Sequence, residues 1–298
     1  MPLLLTRSLT LSLGALLLSM LSGCASFKSV DNFAQTGQQM TVAFPSIANA
    51  TVDSCMNNEL RKNLISTDGF DPAAAEQQAR RGCDKIADSN QKILRLNDVL
   101  ARYAQALQDL SDDKVADYHD QFSGLGDALG SIPAPGSDTP LLDPGQVSLV
   151  MKLSEQLSHS LTQNMRKSAI NELLAQQDAI NVITNALNTY VQTAYRDRIA
   201  IERRDNGVLH LALHETARAE PLATNYVRVR LYRDEQQLGE RAKIPDSYAR
   251  AVKAFQDSLD SLRKSRDDSA QLQQQLKEFS WRVDELKLQV AFLAPATW

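Results

Sequence analysis

Apolar residues recur at alternating spacings of three and four along most of this chain, and that rhythm restricts the possible folds more than any other feature. At 3.6 residues per turn such positions line one stripe of a helix, and the stripe needs another helix to cover it. The first series is Val30, Phe33, Gly37, Met40, Phe44 and Ile47. Pro45 interrupts it and predicts a kink or a restart, because proline removes one helical hydrogen bond and crowds the carbonyl four residues earlier. A second series, Ile93, Leu96, Leu100, Tyr103, Leu107 and Leu110, resumes after a polar turn at Ser111 to Lys114 with Tyr118, Phe122, Leu125 and Leu129. A third helix joins Val150, Leu153 and Leu157 to Leu173, Ile180, Ile183, Leu187, Tyr190 and Ala194. The last, from about Asp246 to Leu293, carries Tyr248, Val252, Phe255, Leu259 and Leu262, then Phe279, Val283, Leu286 and Val290. Such a helix would extend ~70 Å at 1.5 Å per residue. Seams this regular approach the 3.5-residue repeat of coiled coils. The expected fold is all-α: an elongated antiparallel helical bundle with coiled-coil-like long helices.

The breaks are as informative as the stripes. GSIPAPGSDTPLLDPG, residues 130–145, holds four prolines and three glycines and cannot continue a helix, while Asp143-Pro144 suits a helix entrance. It predicts a linker between a region at 24–129 and a long-helix bundle at 146–298, the two packing as one domain. AKIPDSY, with Pro245 and Asp246, marks a further break before the final helix. Residues 207–232 read two ways. Leu209, Leu211 and Leu213 alternate, as do Val227, Val229 and Leu231, which suits a β-hairpin. Leu209 with Leu213, then Leu222, Tyr226, Val229 and Arg233, keep helical spacing instead. A lone two-stranded sheet is marginally stable and TARAEPLATN is long for a hairpin loop, so helix is favoured.

At the front of the chain, Arg7 and the free amino terminus precede an apolar run from Leu9 to Leu21. The run is too short for a comfortable membrane span and is laid out as a secretory signal. Leu21-Ser22-Gly23-Cys24 then resembles, in every position, the lipobox of bacterial lipoproteins. The resemblance covers only this corner of the chain; the body resembles no specific family. It implies removal of residues 1–23, a thioether-linked diacylglycerol on Cys24 and usually an acyl group on the new amine. Several acyl chains hold durably where one binds reversibly, since each buried methylene adds ~0.8 kcal/mol. In Gram-negative lipoproteins an Asp after the lipidated cysteine resembles an inner-membrane retention signal. Ala25 stands here, which implies anchoring to the outer membrane on its periplasmic face.

Loss of residues 1–23 removes one charge, Arg7, and takes the formal net charge from −4 to −5. That balance gives no electrostatic reason to expect nucleic acid as a partner. Cys55 and Cys83 are then the remaining thiols, and an exported chain with two of them most simply forms one disulfide. Between them lies STDGFDP, residues 66–72, a turn in which Asp71-Pro72 suits a helix start. Gly69 stands fourteen residues from each cysteine, so an antiparallel helical hairpin would bring the two sulfurs level. A redox pair would more usually be Cys-x-x-Cys, and two cysteines without nearby histidines make a poor metal site.

Candidate chemistry is sparse. His210 and His214 sit at i and i+4 and are weak candidates for a shared metal, but Leu211 stands where a zinc-protease helix has its glutamate and no third ligand is near. His119 and His159 are isolated. SGLGDALG, residues 123–130, has neither the preceding strand nor the glycine spacing of a dinucleotide loop. The mixed-sign runs Glu202-Arg203-Arg204-Asp205 and Arg263-Lys264 with Arg266-Asp267-Asp268 read as solvated faces. Arg228, Arg230 and Arg233 read more sharply, as a partner surface, because arginine is favoured at interfaces. Trp298 is expected to dock on the bundle or fray.

These features imply no cofactor and no catalytic group. The leading expectation is a non-enzymatic helical scaffold or adaptor, attached to the membrane by its lipid and meeting an unidentified envelope protein. An immunity lipoprotein that neutralises an envelope-acting toxin is the related alternative. A cell-wall or lipid hydrolase is a third, and would need a concave site with convergent polar groups.

Overall fold

The computed structural model of the chain describes residues 5–64, 69–112, 114, 122, 124–137, 139–158, 166–264 and 269–293, and their side chains except at 5–26, 63–64 and 216. Every element of it is helical, and the one β-type pairing among the described residues is an isolated bridge between Pro133 and Pro140.

Helix α1 (Leu5–Leu64) and helix α2 (Pro72–Ser111) form an antiparallel hairpin. Gly69 turns with φ of 81°, a conformation glycine adopts without strain. Asp71 then caps α2, its carboxylate accepting from the amides of Ala73 and Ala74, which satisfies donors that a helix start leaves open. The hairpin is tied along its length by Gln38 to Gln105 and Gln108, by Asn90 to Asn49, and by Cys55 and Cys83, whose sulfurs lie at bonding distance, 2.03 Å, with Cα atoms 6.0 Å apart.

Pro45 does not restart α1, as the sequence allowed; the helix runs through it. Proline at 45 has no N–H for the carbonyl of Thr41, and that carbonyl accepts instead from Asn97 Nδ2 of α2 at 3.1 Å, in the buried interface. Replacing Asn97→Leu should therefore cost ~1–3 kcal/mol, the penalty for a buried unsatisfied acceptor. In a Pro45→Ala background the restored amide takes over Thr41 O, and the cost should shrink. Urea denaturation of the four proteins checks this; an equal cost in both backgrounds would contradict it.

The rest of the chain covers this hairpin. Helix α3 (Leu125–Gly130) leads into residues 131–143, read from the sequence as a linker. They form a small folded turn in which Ala134 N donates to Thr139 O and Leu141 N to Ile132 O, with Ile132 and Leu142 buried in the core. Helix α4 (Pro144–Ser158) opens with a reciprocal cap: Gln146 N donates to Asp143 Oδ1 at 2.9 Å and Asp143 N to Gln146 Oε1 at 3.0 Å. The single third helix expected from the periodicity is instead α4, α5 (Arg166–Ala175), α6 (Gln177–Tyr190) and a π turn (Val191–Tyr195) that runs into α7 (Arg196–Thr216). Residues 207–232 are helical, divided between α7 and α8 (Pro221–Arg241).

The ~70 Å final helix is also corrected. It is two helices, α9 (Ile244–Lys264) and α10 (Ala270–Val290), followed by a short 3₁₀ turn at Ala291–Leu293. They run antiparallel, with Arg250 Nη2 on Glu285 at 2.6 Å and Ser258 Oγ donating to Gln275 O. Arg263 and Lys264 of the charged run that interrupts the apolar seam end α9, the rest of that run lies outside the described residues, and Ser269 Oγ caps α10 by accepting from Leu272 N. Folding back places Phe255 of α9 and Phe279 of α10 against Phe33 of α1, with ring centroids 4.8 to 5.8 Å apart. Gly37 permits that approach, since a Cβ there would sit 3.3 Å from the Phe255 ring. One contiguous core joins residues on both sides of the 130–145 segment, from Val30 to Leu286.

Candidate functional site

The buried stripe of α6 continues through the π turn as Val191, Tyr195 and Ile199, and then becomes polar at Glu202 and Asn206. A π turn inserts one residue into the helical phase, so the buried positions move from the Tyr190 and Ala194 line to the Tyr195 line. Glu202, read from the sequence as part of a solvated charge run, is 2 % exposed. Its carboxylate accepts from Ser54 Oγ of α1 at 2.7 Å and lies 3.5 Å from Arg61 of α1 and 3.4 Å from Arg241 of α8. Tyr195 Oη donates to Arg241 O, and burial raises that phenol to about 12, against the pull of Arg241. Burial likewise raises the neighbouring Asp53 carboxyl, Arg241 pulling it down and Glu202 adding to the rise. The side chains of Asn58 and Asn206 are buried with no hydrogen-bond partner. This cluster welds α1, α7 and α8 together.

An open groove of about 810 Å³ runs beside it. Its floor is the α1 face from Gln35 to Asp53, and its wall is Lys287, Val290, Ala291 and Leu293 at the end of α10. Asp53 and Lys287 are its ionisable side chains among the described residues, and Lys287 Nζ is held by Gln39 Oε1. Among the described residues that line it, nucleophile, base and orienting group do not come together.

The third feature is the α7–α8 arm. Ser54 Oγ donates to Arg198 O and Arg61 Nη1 to Glu202 O, so α7 runs in the direction of α1. Residues beyond about 206 on α7 therefore pass the end of α1 at Leu64. Arg203 on Glu235 sets α8 antiparallel to α7, with residues 222–233 of α8 in the projecting part. Here apolar side chains face outward: Leu222 is 84 % exposed, Leu211 72 % and Tyr226 68 %, with Val208, Val229 and Tyr232 also exposed. Arg228, Arg230 and Arg233 lie on the same stretch of α8, so the structure groups them with an apolar surface that the charge pattern alone did not reveal. Large apolar side chains exposed together on one pair of helices suit an interaction site.

The remaining sequence candidates contribute less. His210 and His214 stand exposed on the arm, and among the described residues no group of three or more His, Cys, Asp or Glu side chains converges as a metal site. His119, His159, Trp298 and the side chain of Cys24 lie outside the described residues. Among the described residues no helix is long and apolar enough to cross a membrane. Comparison with protein-family models, with curated proteins and with solved structures gave no match to this chain.

Proposed function

We propose that this chain is a lipid-anchored envelope protein that works as a non-enzymatic helical adaptor, held to the outer membrane at Cys24 and meeting a protein partner through the α7–α8 arm. The observation that carries the reading is the exposed apolar surface of the arm, with Arg228, Arg230 and Arg233 on the same stretch of α8, at the end of α1 remote from its amino terminus. From Phe27 to Arg61 the α1 axis covers ~50 Å at 1.5 Å per residue. A lipid at Cys24 would thus hold one end at the membrane while the arm reaches into the periplasm. The buried Glu202 cluster supports this reading, because it fixes the base of the arm to the long helix that would carry the anchor.

Charge reversal of Arg228, Arg230 and Arg233 together tests the arm. The triple variant should lower the yield of crosslinked complex from intact cells by ~10-fold or more, as expected when complementary charges turn repulsive. Fold stability should change by no more than ~1 kcal/mol, since surface charges contribute little to it. An unchanged crosslinking pattern at normal abundance would remove the arm from the account.

A further inference from the structure

The α7–α8 arm enters and leaves the body at one place. Tyr195 Oη, at the end of the π turn, donates at 3.0 Å to the carbonyl of Arg241, the last residue of α8. Gln192 Nε2 of the same turn donates at 2.6 Å to Pro245 O at the start of α9. Residues 196–241 are thus a helical hairpin pinned where its two ends meet. The pin is firmly seated, since Tyr190, Val191, Tyr195 and Ile244 belong to the core. A π turn is also one of the few places where a helix bends sharply.

Beyond the pin, polar groups tie the arm to α1. Among the described side chains, the buried ones of α7 after Ile199 are Glu202 and Asn206. Ser54 Oγ donates to Glu202 at 2.7 Å, and Arg61 lies 3.5 Å from both Glu202 and Asp234 of α8. Asn58 shares the α1 stripe of Ser54 and Arg61, and Asn206 the α7 stripe of Glu202, at helical spacings of three and four. These two amides act against closure. They are 2 % and 1 % exposed, and both side-chain atoms of each lack a hydrogen-bond partner among the described residues. Burying an amide in that way costs free energy that water returns when the surfaces part. On α8, Leu238, one turn from the pin, belongs to the contiguous core, whereas Leu231 does not. The same interface therefore holds groups that keep it shut and groups that favour its release.

We infer that the α7–α8 hairpin is a hinged element that swings off α1 as one body about the π turn, with the Glu202 contacts as its latch. The inference does not depend on what binds the arm. The latched arrangement is the major one, and the released one is a minor population of the same folded protein. Release parts Glu202 and Asn206 from α1 and leaves the Tyr195–Arg241 pin in place.

The test measures thiol labelling of the purified full-length protein, in which Cys55 and Cys83 are bonded to each other. Asn206→Cys puts a thiol in the latch, and Ile183→Cys, fully buried on α6, reports unfolding of the body. Asn206→Cys should label at least ~100-fold faster than Ile183→Cys, because a local opening lies below global unfolding in free energy. Its rate should also depend little on low concentrations of urea, whereas that of Ile183→Cys should rise steeply, since a swing exposes far less surface than unfolding. Spin labels on exposed positions give a second reading that leaves the latch residues other than Glu202 untouched. In a Glu202→Ala background, a pair at Lys62→Cys and Leu222→Cys should show a second, longer distance that is weak or absent with Glu202 in place. A pair within the arm, at Leu211→Cys and Tyr226→Cys, should keep one distance in both backgrounds; all four positions are exposed. Equal rates and equal urea dependence at 206 and 183 overturn the inference. One unchanged distance between 62 and 222 in the Glu202→Ala background overturns it too. A broadened distance within the arm means that the arm melts instead of swinging, and overturns it likewise.

Discussion

Glu202→Ala should destabilise the protein by ~3–5 kcal/mol, the cost typical of breaking a buried ion pair by removing one partner. The side chain is buried at the meeting of α1, α7 and α8, and it is the shared acceptor for Ser54, Arg61 and Arg241. Removing it takes the shared carboxylate from Arg61 and Arg241 at a site that water barely reaches, their side chains being 15 % and 13 % exposed, and leaves Arg61 with Asp234 at 3.5 Å. Glu202→Gln keeps the shape and an acceptor for Ser54 but not the charge, so its loss should be smaller. Substituting Glu202→Leu, Arg61→Leu and Arg241→Met together should recover much of the loss, because replacing a whole buried ion cluster with apolar side chains is often neutral or better. Urea denaturation gives the free energies, and hydrogen exchange should show the arm opening first in the Ala variant. A loss below ~1 kcal/mol for Glu202→Ala would place the cluster in the ordinary surface class and remove the rigid base on which the arm depends.

Cys24→Ser should carry the largest effect on location. The substitution leaves no sulfur for the diacylglycerol at the position that resembles the lipobox cysteine, and Cys55 and Cys83 are engaged with each other. The variant should lose acyl labelling and nearly all membrane association, whereas the wild type stays with membranes through a carbonate wash. Stability of the body should be unchanged, because the core begins further along, at Val30. Retention of the serine variant in washed membranes would mean that another segment provides the anchor.

The helical stripes were legible because burial imposes their period on the sequence. Val30, Phe33, Met40 and Phe44, for example, are fully or almost fully buried as the spacing requires. The disulfide pair was legible for a local reason: a turn with Gly69 and a capping Asp71 sits midway between Cys55 and Cys83. Three features were not legible, each for a different physical reason. Pro45 reads as a break until Asn97, far along the chain, supplies the missing hydrogen bond. The sequence between α9 and α10, residues 265–269, contains no glycine or proline, so the seam seemed continuous. The burial of Glu202 was hidden because the π turn at Val191–Tyr195 shifts the stripe by one residue. A constant helical period carried forward from Leu187 therefore runs to Ala194 and misses Tyr195, Ile199 and Glu202. On the arm, the stripe Leu222, Tyr226 and Val229 was readable as helical spacing, but only the fold places it outward.

The adaptor account stands or falls on whether the arm is covered in the envelope. Tyr226→Cys puts a thiol at the centre of the exposed stripe, in a chain whose Cys55 and Cys83 are bonded to each other and whose Cys24 is taken up by lipid on the reading above. Maleimide labelling of that thiol is compared in purified protein and in permeabilised native envelopes, with Lys264→Cys on exposed surface as the reference. The account predicts that Tyr226→Cys labels as fast as the reference in purified protein, and ~10-fold or more slowly in envelopes, where the partner excludes reagent. Reversal of Arg228, Arg230 and Arg233 should restore the fast rate. Equal labelling of Tyr226→Cys and Lys264→Cys in native envelopes, at normal abundance, would contradict it.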